Sequence, residues 1–302
     1  MPRPLLLGIV GDSGTGKTTL TRGLVRILGE SQSTHISGDH YQRHEREGRA
    51  ELAVTPLHPE GNHLDILAQH LVHLRSREPI LKPVYRHQDG TFGPSEYVRP
   101  ADFTIVEGIL GFHTDAMCDA FDVRVFLDPP EDLRRRWKVQ RDCSRRGYTT
   151  DEVLEELDRR EADAERFVRP QRAHADIVVA FMPGDRGDDE HLDARVSLRP
   201  RLTHPDLSAV IDEGAGGMSL TRRGEEVVLS IPGTIDRERG AALQEAIWDR
   251  MRFASHLRTE RLGEFTTGTE LRRSETLAIV QLLVLYQAVV GRAAIAVGAG
   301  ER

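Results

Sequence analysis

Short apolar runs alternate with amphipathic stretches along the first 180 residues of the chain. Apolar residues at helical spacing predict a helix over 17–28, with Leu20, Leu24 and Leu28 on one face and a stop at Gly29. A second amphipathic run follows Asn62, which we expect to cap its helix. The runs that predict β-strands are 5–10, 35–37, 103–106, 123–127 and 177–181. This alternation is typical of a mainly parallel sheet flanked by helices, an α/β fold.

Two segments interrupt the alternation. Residues 80–99 contain Asp89-Gly90 between two extended pieces and predict an inserted hairpin or lid. A polar connector over 182–193 precedes two extended segments, 194–198 and 226–231, and two helices, 237–253 and 274–290. We therefore predict a core over residues 1–183 and a C-terminal α/β extension over 184–302, packed on that core.

Charge and cysteine content narrow the class of protein. The formal net charge of −7 argues against general nucleic-acid binding, because a polyphosphate backbone binds to a basic surface. The most apolar stretch, 278–290, is broken by Gln281 and Gln287 and predicts a buried helix, not a membrane span. No signal peptide is recognisable at the start, and two cysteines do not make a disulfide scaffold, so we expect a cytoplasmic protein.

A phosphate-binding motif lies between the first strand and the first helix. Residues 11–18 satisfy G-x-x-x-x-G-K-[ST], whose glycines let backbone N–H groups surround phosphate oxygens. Lys17 is expected to reach the β and γ phosphates, and the Thr18 hydroxyl to bind Mg²⁺. The predicted nucleotide-binding residues here are Gly11, Asp12, Ser13, Gly14, Thr15, Gly16, Lys17, Thr18 and Thr19.

Other motifs limit the reaction classes. A Ras-type GTPase needs N/T-K-x-D, but the single Asn of this chain, Asn62, precedes His63. Motor and AAA-type ATPases have a strand that ends in several acids, whereas TIVEG ends in one, Glu107. A small-molecule kinase using ATP and Mg²⁺ remains, and it needs a general base. Asp39, at the end of the second strand, is the candidate base, and a turn or helix-cap role is the alternative for this residue.

A basic helix is predicted over residues 130–147. A cationic stripe along it contains Arg134, Lys138, Arg141 and Arg145, with the acid Asp142 among them and Arg146 at the edge. Such a stripe can be a solvated face. Two features favour a lid over phosphates: Lys138 is one of only three lysines, and the helix ends at Gly147. We assign Trp137 and Phe126 to the core.

Several motifs, in order, resemble the phosphoribulokinases, within the group that includes uridine kinases. They are GDSGTGKTT, ISGDHYQRHEREGR, KPVYRH, VEGILGF, FLDPPEDLRRRWKVQRDCSRRGYT and RPQRAHADIVV. The likeness covers about residues 5–182 and is greater to the plant and cyanobacterial branch. It implies a P-loop kinase fold and ATP-dependent phosphorylation of ribulose 5-phosphate to ribulose 1,5-bisphosphate. By analogy it also implies a homodimer.

The resemblance also implies roles for individual residues. Asp39 matches the catalytic base, and Glu107 the acid near Mg²⁺ and substrate. The lid cations are Lys138, Arg141 and Arg146, the last beside ATP. Matches to the acceptor site are Arg46, Arg49, Tyr85 and His87. An acceptor that already carries a phosphate needs cations of its own, which Arg46 and Arg49 supply.

Departures from the family pattern keep alternatives open. The disulfide pair that switches off plant-type enzymes is absent, because its positions are Thr15 and Ser37. Ala50 replaces a basic residue, and an acidic pair reads Asp39-His40. The C-terminal part is shorter. A kinase for a related sugar phosphate, a uridine- or pantothenate-like kinase and a nucleotide-sensing protein without catalysis are the alternatives.

Overall fold

A mixed β-sheet forms the centre of the fold, and both halves of the chain contribute strands to it. The computed structural model describes residues 2–184, 186, 191–208, 211, 218–254, 257–267 and 270–298. The strands are β1 (Leu5–Val10), β2 (Ser33–Ser37), β3 (Ile80–Arg86), β4 (Thr91–Val98), β5 (Phe103–Gly108), β6 (Val123–Leu127), β7 (Ile177–Met182), β8 (Asp193–Leu198), β9 (Ser219–Arg223), β10 (Glu226–Ile231), β11 (Glu264–Thr267) and β12 (Glu270–Arg273).

Eight of these strands form the main sheet, in the order β2-β5-β1-β6-β7-β8-β10-β9. The first five in that order pair in parallel, and the last three add antiparallel pairs. The carboxyl ends of the parallel strands therefore meet at one edge, where open α/β sheets bind ligands. The predicted α/β fold is confirmed.

Helices cover both faces of the sheet. They are α1 (Lys17–Leu28), α2 (Arg46–Glu51), α3 (Leu64–Arg75), α4 (Asp115–Ala120), α5 (Glu131–Arg146), α6 (Thr150–Asp163), α7 (Arg237–Trp248) and α8 (Glu275–Ala296). Alternate residues of β1 serve the two faces: Leu5 and Leu7 join the cluster of α1 and α8, and Leu6 that of α3 and α4. Both faces of the central strand are thus buried, which explains its uninterrupted apolar sequence.

Most predicted elements of the first half match the structure. The helix at 17–28 and the strands at 5–10 and 123–127 have the expected bounds. The predicted hairpin over 80–99 is the two-stranded sheet β3–β4. The cap assignment was wrong: His63 precedes α3, and the Asn62 amide donates to the carbonyls of Pro56 and His58 instead.

The second half of the chain is continuous with the first. β8 pairs with β7, so the predicted division at 183/184 falls between two paired strands. The predicted helix over 237–253 ends earlier, at Trp248, and continues as a 3₁₀ segment to Ala254. The short strands β9, β11 and β12 were not predicted, because their sequences are polar.

Helix α8 forms the centre of one face. Among the described residues it is the one helix long and apolar enough to cross a bilayer, and 67% of its most apolar stretch is buried within the protein. It packs on β1, β6 and β8 and beside α1 and α7. The predicted buried helix is confirmed, and Gln281 and Gln287 are buried with it.

Candidate active site

The loop after β1 turns sharply into α1. Gly14 and Gly16 have φ of +90° and +92°, in the left-handed region that glycine tolerates. A Cβ at Gly14 would lie 3.0 Å from the Cβ of Lys138, so the glycine also lets helix α5 approach the loop. The loop residues predicted to bind the nucleotide therefore lie directly beneath the basic helix.

Lys17 holds the loop from inside. Its ammonium donates to the carbonyl oxygens of Gly11 and Asp12, at 2.8 and 2.7 Å. Burial lowers the pKa of Lys17, while the charges of Asp39 and Glu107 oppose this shift. The ammonium is thus buried between the loop and two carboxylates, where a phosphate group would meet it.

Asp39 lies in the 3₁₀ turn Gly38–His40 that follows β2, at the carboxyl edge of the sheet. Its Oδ1 accepts a hydrogen bond of 3.1 Å from the backbone N–H of Ile109, just after β5. Gly38 and Gly108 allow this approach, because a Cβ at Gly108 would lie 3.3 Å from the Gly38 Cα. Burial raises the pKa of Asp39, and Lys17 limits the rise. A carboxylate with a raised pKa beside a phosphate site is suited to accept a proton.

Glu107, at the end of β5, has one free oxygen. Its Oε1 accepts from the Thr18 hydroxyl at 3.2 Å and lies 3.1 Å from His35 Nε2, whereas the buried Oε2 has no partner. Burial raises the pKa of Glu107, but the lowering effect of His35 and Lys17 is larger, so the net shift of this pKa is downward. An ionised carboxylate oxygen beside a hydroxyl fits Mg²⁺, which takes few protein ligands and completes its shell with phosphates and water.

Asp142 pairs with the three cations of α5 that were predicted to belong to a lid. Its carboxylate contacts Lys138 Nζ at 2.8 Å, Arg141 Nε at 2.8 Å and Arg146 at 3.3 Å. Burial opposes ionisation, yet Arg141 and Lys138 hold the pKa of Asp142 at about 2. Burial lowers the pKa of Lys138 to about 8, against the raising effect of Asp142. The side chain of Arg145, also predicted in this stripe, is outside the described part of the chain.

The same helix is tied to the phosphate loop. Arg134 donates to the Ser13 carbonyl at 2.9 Å and pairs with Asp12 at 3.3 Å. Arg141 reaches the Ser13 hydroxyl at 3.3 Å. The cationic stripe faces the loop and not bulk water, which excludes the solvated-face interpretation for Arg134 and Lys138.

The predicted acceptor residues form a second wall. Buried Arg49 donates to Gln42 at 2.7 Å and to the Tyr85 hydroxyl at 2.9 Å, and Arg46 donates to the His87 carbonyl at 2.6 Å. Burial and the nearby charge of Arg146 lower the pKa of His87 to about 4. The wall thus offers a neutral imidazole and fixed guanidinium groups.

Most of these groups line one cleft. It has a volume of about 1320 Å³ and runs from the β3–β4 hairpin, past the phosphate loop, to the C-terminal hairpin β11–β12. The structure brings the predicted residues Ser13–Thr19, Asp39, Arg46, Arg49, Tyr85, His87, Glu107, Lys138, Arg141 and Arg146 to its lining. Gly11 and Asp12 shape the loop beneath.

Comparisons with known proteins agree with this site. Residues 6–186 match the model of the phosphoribulokinase/uridine kinase family. The chain belongs to this family. A phosphoribulokinase of Synechocystis sp. is 34% identical over 218 residues, 71% of this chain and 66% of that protein. A uridine kinase of Leuconostoc citreum is 34% identical over 183 residues, 59% of this chain and 87% of that protein.

The phosphoribulokinase/uridine kinase family also appears among solved structures. Phosphoribulokinase from Rhodobacter spheroides is similar with a TM-score of 0.62 and 19% identity, covering 84% of this chain and 99% of that one. This likeness shows the shared fold. The chain matches slightly less than two thirds of the length of the Synechocystis relative.

Several residues that line this family member's cleft were not among the sequence predictions, and three of them bear on its chemistry. Arg160 of α6 and Lys82 of β3 both line it, the latter with its ammonium 3.1 Å from His40 Nδ1. Trp137 was wrongly assigned to the core: it is half-buried and lines the cleft, whereas Phe126 is buried as expected. For Lys82 the available signal was the rarity of lysine, which occurs only three times in this sequence. Arg160 had no such signal, because arginine is abundant in the chain.

Proposed function

We propose that this protein phosphorylates ribulose 5-phosphate at its primary hydroxyl, using ATP, and releases ribulose 1,5-bisphosphate and ADP. The observation that carries the proposal is the position of Asp39, whose carboxylate lies between the phosphate loop and the arginine-lined wall. The Synechocystis relative, named phosphoribulokinase, supports the choice of acceptor.

The proposed reaction is an in-line transfer. The acceptor hydroxyl forms a bond to the γ-phosphorus, the bond from that phosphorus to the ADP oxygen breaks, and Asp39 takes the hydroxyl proton. Lys17, Lys138 and Arg141 surround the transferred group and spread its negative charge. Thr18 and Glu107 would hold Mg²⁺, which supplies further charge neutralisation when bound.

Acceptor binding relies on a second group of cations. Arg49 and Arg46 are anchored on the wall of the cleft opposite the lid, and Arg146 approaches it from α5. Guanidinium groups with fixed orientation are suited to a phosphate monoester, because each offers two parallel N–H donors. A nucleoside acceptor has no such charge to neutralise, so this group favours a sugar phosphate.

Assembly and location are part of the proposal. We expect a homodimer in the cytoplasm, by analogy with the plant and cyanobacterial branch for the first and from the cysteine content for the second. In this proposal residues 1–183 form the kinase core, and residues 184–302 form an extension packed on it.

An acceptor panel tests the proposal. ADP release is measured with ATP and ribulose 5-phosphate, other pentose 5-phosphates, unphosphorylated ribulose or uridine. We expect efficient turnover with ribulose 5-phosphate alone. Preference for uridine would transfer the assignment to uridine kinase, for which the Leuconostoc relative is the precedent. Failure of every phosphorylated pentose would favour a nucleotide-sensing role.

A further inference from the structure

The cleft has an apolar wall on the side of the phosphate loop away from Asp39. Phe181 at the end of β7 and Leu192 before β8 line it, as do Trp137 from α5 and Phe265 from β11. Trp137, Leu192 and Phe265 are half-buried and belong to none of the hydrophobic clusters of the described residues. Among the described residues, their apolar surface is therefore left for the cleft and not for one of the hydrophobic clusters.

The hairpin β11–β12 is held firmly in this position. The backbone N–H of Gly263 donates to Gln281 Oε1 of α8 at 2.7 Å, and Ser274 N donates back to the Gly263 carbonyl at 3.0 Å. Gly263 has φ of +77°, and a Cβ there would lie 2.4 Å from the Ser274 carbonyl oxygen. Because α8 is buried against the sheet, these contacts fix Phe265 relative to the phosphate loop.

The apolar wall begins at the phosphate loop. The Trp137 ring reaches within 4.0 Å of the position that a Cβ would take at Gly16. A nucleotide anchored by its phosphates at residues 11–18 must extend along the cleft in one of two directions. Towards Asp39 the cleft is lined by charged groups that suit the acceptor. Towards β11 its aromatic and aliphatic side chains lie together with the polar Glu264, Thr266 and Arg272 of the hairpin.

We propose that Trp137 and the C-terminal hairpin form the pocket for the purine base of the donor nucleotide, with Phe265 against the base. The inference rests on the proposed use of ATP. A flat aromatic base is bound best by aromatic and aliphatic surfaces, which stack on it irrespective of its hydrogen-bonding pattern. β11 lies outside the stretch 6–186 that matches the family model, so the C-terminal segment supplies part of the donor site.

Binding of a full nucleotide and of a phosphate fragment separates the two parts of the site. ADP and inorganic pyrophosphate are titrated by calorimetry, with Mg²⁺, into the full chain and its Phe265→Ala and Trp137→Ala variants. We expect each variant to weaken ADP about tenfold, the loss typical of one aromatic contact, and to leave pyrophosphate unchanged. Leu271→Ala is the matched control, because Leu271 is exposed on the same hairpin and does not line the cleft.

A measurement without mutation covers the case in which a variant does not fold. In hydrogen exchange of the unmodified chain, ADP should protect residues 264–267 and pyrophosphate should not. ADP affinity unchanged in both folded variants, equal losses for ADP and pyrophosphate, or no protection of the hairpin would each overturn the inference. These are binding measurements, so they can fail while ribulose 5-phosphate is still phosphorylated, and can succeed when it is not.

Discussion

At the scale of single residues, two carboxylates at the carboxyl ends of the adjacent strands β2 and β5 have opposite pKa shifts. Burial raises the pKa of Asp39, which has one backbone hydrogen bond, whereas His35, Thr18 and Lys17 keep the net shift of Glu107 downward despite burial. Under the proposed function, this difference in environment suits Asp39 to accept a proton and Glu107 to stay ionised beside a metal ion. The two acids differ in function because they differ in partners.

The raised pKa of Asp39 has a consequence for pH dependence. The base must be ionised, so kcat/KM should fall as the pH drops through this pKa, which lies above the ordinary value of 3.8. Asp39→Asn should lower kcat by about two to four orders of magnitude and leave ADP affinity unchanged. Rate profiles of both proteins test this. Near-normal turnover of the variant would refute the role, and an acid limb that survives in it belongs to the substrates.

Arg160 is predicted to bind the acceptor phosphate. Arg160 pairs with Glu156, and burial together with the charge of Arg49 lowers its pKa to about 10. Arg49 and Arg160 both line the cleft, where the charge of a phosphate would relieve their mutual repulsion. Arg160→Gln should raise KM for ribulose 5-phosphate roughly tenfold to a hundredfold, the loss of one charged hydrogen bond, and spare KM for ATP. The slow turnover of unphosphorylated ribulose should be the same in both proteins.

The exposed neighbour offers a control for this prediction. Arg159→Gln removes the same charge from the same helix outside the cleft and should leave both KM values unchanged. If Arg160→Gln impairs ribulose and ribulose 5-phosphate alike, the residue is structural and the phosphate assignment is wrong.

At the scale of elements, α5 bears several cationic side chains that are held in place by one acid, Asp142. Asp142 raises the pKa of Lys138, which burial alone would depress below its value of about 8. Loss of the Lys138 charge above this pH should lower kcat/KM. Asp142→Asn should therefore move this alkaline limb to lower pH, and Lys138→Arg should remove it, because a guanidinium stays charged. A limb unmoved in both variants would show that Lys138 does not control it.

Local sequence was sufficient for some elements and not for others. Helix α1 and strand β6 were placed correctly because a regular apolar period ends at a glycine or at polar residues. Strands β11 and β12 consist of EFTT and ELRR, which have no apolar alternation. They are strands because they pair with each other and because β11 packs against α1. Trp137 lay in an amphipathic helix whose burial the pattern did not specify.

At the scale of the whole molecule, the two halves of the chain share one sheet and one core. Helix α8 covers β1 and β6, and its Leu282 and Leu283 join the same cluster as Leu5 and Leu7. The C-terminal residues are therefore needed for the stability of the phosphate-binding strands. The site also depends on them, because β11–β12 lines its cleft.

A truncated chain tests this dependence. Residues 1–183 alone would leave β7 without its neighbour β8 and the cover of α8 removed from the sheet, exposing a large apolar face. We expect this fragment to lack a cooperative thermal transition by circular dichroism and to aggregate, unlike the full chain. A fragment that unfolds cooperatively near the Tm of the full chain would show that the first half is an autonomous domain.

The sequence by itself determined the local chemistry: the phosphate loop between strand and helix, the acids at strand ends and the cations along α5. These features are local, since they depend on spacings of a few residues and on the backbone conformation that each spacing favours. The tertiary structure alone decided which distant groups meet. Arg160 and Phe265 line the cleft, and β8 continues the sheet, because packing brings distant segments together. The local sequence of each segment does not indicate which other segment it will contact.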